Sequence, residues 1–183
     1  ISIPLYKEAE NIKKMVEEIF NYCPGIEILI INDESKDETL EIIKKLNNNK
    51  IILIERPEKL GLGTAHKLSI LYAIKNNYNY LITMDGDFSH DPKYLPEIIK
   101  NITSNKFIIG SRFHKEGKSD YRGIRKYVSR AGNYFAQKIL NINLKELTTY
   151  FRMYEVESLK KLPFDELNSQ GYSLGVRIIW LLN

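Results

Sequence analysis

The chain predicts an α/β domain built on an open, mostly parallel sheet with helices on both faces. Three observations carry that prediction. Strand-like and helix-like segments alternate with short connections from Ile1 to Ile109. The strand segments, Ile26 to Ile31 above all, are continuous apolar runs, the mark of parallel strands buried on both faces. Three strand ends, at Pro4, at Asn32-Asp33 and at Asp85-Asp87, carry functional groups to one sheet edge, and in open α/β sheets ligands bind beyond the carboxyl ends of the strands.

In order, Ile1 to Leu5 reads as a short buried strand stopped by Pro4. Glu8 to Phe20 reads as a helix with Ile12, Met15, Val16 and Ile19 on one face. Ile26 to Ile31 is the second strand. Ser35 and Glu38 have the spacing of a capping box for a helix running through Leu46. Lys50 to Glu55 is the third strand, and a loop through Gly61-Leu62-Gly63 leads into a helix from Ala65 to Lys75. Tyr80 to Met84 is the fourth strand, Pro92 opens a helix reaching Ile102, and Phe107 to Ile109 is the fifth strand. Beyond it, His114 to Tyr121 reads as a charged loop. Gly123 to Leu140 reads as a helix whose apolar face is Ile124, Val128, Ala131, Phe135 and Ile139, with Arg122, Arg125, Lys126 and Arg130 at its start. Leu147 to Tyr154 reads as another strand, then a helical turn to Leu162, and a last helix begins near Gly171.

At 183 residues, 43% hydrophobic and 27% charged, this is one domain, 1–183, with an ordinary soluble composition. A formal charge of +4 suits an anionic ligand or a membrane surface and is too small to imply nucleic acid. The single cysteine, Cys23, excludes an internal disulfide and fits a reducing cytosol. No apolar run approaches the roughly 18 residues of a membrane span. Both ends read as cut, which leaves room for flanking segments.

The stretch with most chemistry is Leu81 to Pro92, where a buried strand runs into Asp85-Gly86-Asp87. Two carboxylates one residue apart suit a hard cation, Mg2+ or Mn2+, when substrate phosphates supply further oxygens. A polar strand-to-loop turn is the bland alternative. Gly61-Leu62-Gly63 lacks the third glycine of a dinucleotide loop and fits a tight turn or a close backbone approach to a ligand. Arg112 stands just past a strand on the ligand edge. His90 and His114 have no zinc spacing, and Ser129 has no nucleophile's partners.

Five segments then occur together in a familiar order: Ile3 to Asn11, Ile31 to Thr39, Gly61 to Ala65, Met84 to Pro92 and Gly110 to Phe113. The chain resembles the family 2 inverting glycosyltransferases of the GT-A (Rossmann-like) fold, in the polyprenyl or dolichyl phosphate mannosyltransferase branch. The resemblance implies a metal-dependent transfer of a hexose, mannose from GDP-mannose foremost, onto a polyprenyl phosphate. UDP-glucose as donor, another acceptor, or a non-catalytic nucleotide-sugar-binding subunit are the alternatives. It implies that Pro4, Tyr6, Glu8, Asp33, Gly61 and Gly86 serve the donor, that Asp85, Asp87 and Ser89 serve a Mg2+ or Mn2+ ion, and that Arg112, Arg125, Ser129 and Arg152 receive the acceptor phosphate. Asp87, Arg112 and Arg125 are the catalytic candidates. The implied setting is cytoplasmic and peripheral on a membrane, with an anchoring segment or subunit outside the chain. The sequence departs from the family pattern at Lys7 (commonly Asn), Asn32 (Asp), Glu146 (Asp), Tyr150 (Gly), Gly175 (Gln) and Arg177 (Glu).

Overall fold

The protein is represented by a computed structural model that describes residues 1–102, 105–111, 132, 134–142, 144, 146–167 and 171–183. Among the described residues the sheet has six strands: β1 (Ser2–Leu5), β2 (Ile28–Asp33), β3 (Ile51–Arg56), β4 (Tyr80–Thr83), β5 (Phe107–Ile109) and β6 (Arg152–Glu155), in the order β3-β2-β1-β4-β6-β5. β3, β2, β1 and β4 pair in parallel, whereas β6 runs antiparallel to both β4 and β5. The mostly parallel sheet expected from the buried runs is therefore present. β6 is four residues long and begins later than Leu147.

Alternate residues of each strand pack on opposite faces of the sheet. Ile3, Leu5, Ile28, Ile30, Ile82, Met84 and Met153 pack under α1 (Ile12–Tyr22), α2 (Thr39–Lys45) and α4 (Leu95–Lys100). Leu29 and Ile31 pack against α3 (Leu62–Lys75), and Leu81 and Tyr154 against α3, α5 (Val156–Leu159) and α6 (Tyr172–Leu182). Helices thus cover both faces, and the alternation is the period-2 geometry of strands.

Several boundaries differ from the sequence reading for local reasons. α1 buries the four expected residues but starts at Ile12, because Lys7 has a positive φ of 60° and the Glu8 amide is held by Thr39 Oγ1 at 2.9 Å. The Ser35–Glu38 capping box does not form. Asp37 instead accepts from the Thr39 amide at 3.2 Å and hydroxyl at 2.6 Å, while Ser35 Oγ accepts from the Lys7 amide at 2.9 Å. α3 begins three residues early, on Gly61. After Asp91, whose carboxylate accepts from the Lys93 amide, a single 3-10 turn (Pro92–Tyr94) precedes α4. Residues 134–140 are helical, but Phe135 and Ile139 are exposed; Ala136 and Leu140 face the core instead. The basic residues at the start of that segment lie outside the described residues.

Candidate active site

Parallel pairing brings the carboxyl ends of β1 to β4 to one edge, with Leu5, Asn32 and Glu55 in register and Asp33 opposite Arg56. Asp33 is buried and forms an ion pair with Arg56. Its second oxygen accepts from the Gly61 amide at 3.3 Å. Arg56 also donates to Thr64 Oγ1 at 2.7 Å and to the Gly61 carbonyl at 3.1 Å. Gly61 has φ of 90°, a conformation that favours glycine, so this turn fits the residue at that position. The Asp33–Arg56 pair thereby fastens the loop between β3 and α3 to the sheet edge. Arg56 was not singled out from the sequence, although its place at the end of β3 is the signal that could have found it.

β1 leaves the sheet through Pro4, Leu5 and Tyr6. Pro4 is half-buried within β1, opposite Ile31, and Tyr6 stands exposed beyond it. Glu8 turns its carboxylate to the Asn11 side-chain amide at 2.8 Å.

The Asp85-Gly86-Asp87 turn packs directly against that segment. A Cβ on Gly86 would collide with the Leu5 side chain and sit 3.4 Å from Ile3 and 3.8 Å from Glu8. The glycine is needed for close approach, and it brings the two carboxylates beside the β1 exit. Asp85 is half-buried; Asp87 and Ser89 are exposed, with the Ser89 amide donating to Asp87 Oδ1 at 3.0 Å. No group of three or more acidic, histidine or cysteine side chains converges here among the described residues. Two carboxylates and a hydroxyl, all hard oxygen donors on an open edge, fit a cation that takes its other ligands from phosphates and water. Phe88 has a positive φ of 61°, as Lys7 and Glu34 do after β1 and β2. Such residues cost on the order of 1 kcal/mol each and cluster at functional sites.

His90 holds this turn from below. Its Nδ1 accepts from the Asp85 amide at 2.8 Å, so the ring proton sits on Nε2, which lies 2.9 Å from Thr149 Oγ1. The ring stacks on Phe151, with centroids 5.1 Å apart. The sequence reading considered His90 for zinc alone and missed this bracing role; its fixed offset from Asp85 was the available signal.

Arg152, expected to receive the acceptor phosphate, is instead turned into the protein. It is fully buried, and its guanidinium donates to the carbonyls of Thr149 (2.5 Å), Gly175 (2.7 Å) and Leu147 (2.8 Å) and to Tyr154 Oη (3.0 Å). Gly175 fits because a Cβ there would lie 2.8 Å from Arg152. Tyr150 donates to the Gly171 carbonyl at 2.7 Å and stacks on His66, centroids 3.7 Å apart. His66 is 1% exposed, and among the described residues neither ring nitrogen has a hydrogen-bond partner. Burial first, then the positive charge of Arg152, holds its pKa well below the usual value, so it stays neutral. Arg112, Arg125 and Ser129 lie outside the described residues.

A profile described as glycosyl transferase family 2 matches residues 1–163. The chain belongs to that family. Among curated relatives, the polyprenol monophosphomannose synthase of Mycolicibacterium smegmatis is 27% identical over 98% of this chain and 70% of its own length. The undecaprenyl-phosphate mannosyltransferase of Micrococcus luteus is 28% identical over 95% of the chain and 73% of its own. Both agree with the branch that the motifs resemble. Glucosyl-3-phosphoglycerate synthase from Mycobacterium tuberculosis, solved with Mn2+, UDP and glucosyl-3-phosphoglycerate, superposes with a TM-score of 0.69 at 17% identity, over 97% of this chain. A mannosyltransferase from Pyrobaculum calidifontis, solved with GDP-Man and Mn2+, superposes with a TM-score of 0.60 at 14% identity over the same share. The chain spans 62% and 50% of those two structures, which share its fold. The GT-A architecture expected of the family is thus the one observed. No described helix is long and apolar enough to cross a membrane.

Proposed function

We propose that this family 2 domain transfers a hexose, mannose from GDP-mannose foremost, onto a polyprenyl phosphate. The observation that carries the reading is the Gly86 contact, which sets Asp85 and Asp87 beside the exit of β1, on the same edge as Asp33 and Gly61. The polyprenyl-phosphate mannosyltransferases among its relatives supply the substrate class.

In this reading Pro4, Tyr6, Glu8, Asp33 and Gly61 hold the nucleoside, and Asp85, Asp87 and Ser89 hold Mg2+ or Mn2+. The cation, when bound, neutralises charge building on the leaving diphosphate. The chain's own residues position the reactants. An acceptor phosphate is already ionised at neutral pH and needs no strong base, so the work is alignment and charge neutralisation. Arg112, Arg125 and Ser129 are assigned to that acceptor phosphate. Arg152 is assigned to structure, since its donors are spent on carbonyls. A lipid acceptor calls for a peripheral membrane position, and the exposed Phe135 and Ile139 fit a lipid-facing helix.

The test is a panel of nucleotide sugars with Mn2+ or Mg2+, scored by thermal shift and by product on a short polyprenyl phosphate. GDP-mannose with product formation is expected; a UDP-sugar product would move the donor, and binding without transfer would favour a non-catalytic subunit. Asp87→Ala should abolish transfer and cation-dependent nucleotide binding while leaving the melting temperature nearly unchanged, because the side chain is exposed. Full activity in excess chelator would sink the metal assignment.

A further inference from the structure

We propose that Lys7 and Lys59 are ligands for the phosphates of the donor nucleotide, held ready on the Tyr6 ring. The inference rests on the donor-nucleotide reading above and adds two residues that it does not contain. Lys59 Nζ lies 3.6 Å from the centroid of the Tyr6 ring, and Lys7 Nζ lies 5.4 Å from the same centroid. Both lysines are exposed, and among the described residues neither forms an ion pair. Two acidic residues of the same loops are engaged elsewhere: Glu8 accepts from Asn11 at 2.8 Å, and Glu34 faces Lys36 at 3.6 Å.

Two ammonium groups converging on one ring repel each other, and an aromatic face offsets only part of that repulsion at an exposed site. An anion between or beside them removes the repulsion and gains two charge-assisted contacts. Lys7 reaches this position at a backbone cost, since φ of 60° disfavours a long side chain where the family commonly places Asn. Lys59 is aimed by the loop it stands on. That loop is pinned two residues later, where Arg56 and Asp33 hold Gly61. The two lysines therefore come from separate strand exits, β1 and β3, and meet at the edge where the donor is proposed to bind.

A nucleoside diphosphate matches this arrangement in charge and in shape. Its planar base can lie on the ring that Lys59 covers, and the displaced ammonium keeps its flexible stem within reach of the phosphates. Lys59 then has two resting places, the ring without nucleotide and the phosphates with it.

The experiment is calorimetry on the full chain with GDP, UDP, guanosine and uridine, with Mn2+ and with chelator, at two salt concentrations. Lys59→Met keeps the apolar stem and removes the charge. It should weaken binding of the preferred diphosphate about tenfold and flatten its salt dependence, with or without Mn2+, while nucleoside binding stays equal or tightens. Lys59→Arg should remain within about threefold of wild type. Lys7→Asn should weaken diphosphate binding about three- to fivefold and raise the melting temperature by relieving the backbone. Unchanged diphosphate affinity in Lys59→Met, or an equal loss for nucleoside and diphosphate, would overturn the inference. If the unaltered protein binds neither diphosphate under any condition, it is the donor reading that fails.

Discussion

The protein places charge in two different ways on its two sides. Along β1 to β4, parallel strands deliver their carboxyl ends to one edge, and the charges there stay accessible or are paired across neighbouring loops, as in Asp87 and Asp33–Arg56. Along β6 and α6 the charge of Arg152 lies wholly inside the protein, surrounded by carbonyl oxygens. The difference follows from direction. β6 is antiparallel to β4, with Arg152 opposite Thr83 and Glu155 opposite Tyr80, so the start of β6 reaches the edge formed by the carboxyl ends of β1 to β4. Thr149 therefore meets His90, and Thr83 Oγ1 donates to the Tyr150 carbonyl at 2.6 Å. Arg152, two residues after Tyr150, is drawn under α6. One side of the sheet keeps its charges at an open edge, and the other buries a charge that braces the fold.

The strongest way to break this comparison is Arg152→Ala. It removes a buried side chain and leaves several carbonyls without donors, so a loss of about 3–5 kcal/mol is expected by denaturant unfolding. A loss below about 1 kcal/mol would mean that Arg152 is not the brace described here.

Gly86→Ala probes the accessible side. The added methyl meets Leu5, Ile3 and Glu8 in a packed corner, which should cost about 1–3 kcal/mol. Cation-dependent nucleotide binding should fall along with it, because the carboxylates on either side must shift. Stability lost with cation-dependent binding intact would separate the turn's packing from its proposed chemistry.

The smallest effect concerns His66 and pH. Its folded pKa is depressed below the ordinary value near 6.5, so the unfolded chain binds the extra proton first as pH falls. Stability should decline below about pH 6.5, by at most about 1.4 kcal/mol per pH unit from this group, until its folded pKa is reached. His66→Phe keeps an aromatic ring beside Tyr150 and cannot titrate. Melting curves between pH 7 and 5 should therefore be flatter for the variant; parallel curves would show that His66 is not the source.

Much of this molecule is written in short-range pattern. The period of Ile12, Met15, Val16 and Ile19 set the buried face of α1, and the unbroken run through Ile31 set a strand covered on both sides. The Asp85-Gly86-Asp87 turn stood out because its two carboxylates lie within three adjacent residues, whereas the reason for its glycine, the approach of Leu5, lies some eighty residues away. The family, too, could be read from five local motifs. Tertiary structure decided what depends on distant partners. Nothing local to Ser35 shows that its hydroxyl serves Lys7 rather than a helix cap. Nothing local to Arg152 shows a strand running against its neighbour, since strand direction depends on where a long connection returns. His66 is far in the chain from Tyr150 and Arg152, and only packing makes them one buried cluster. The physical reason is that propensity and periodicity act over a few residues, whereas burial of a charge or an imidazole is settled by every element that closes over it.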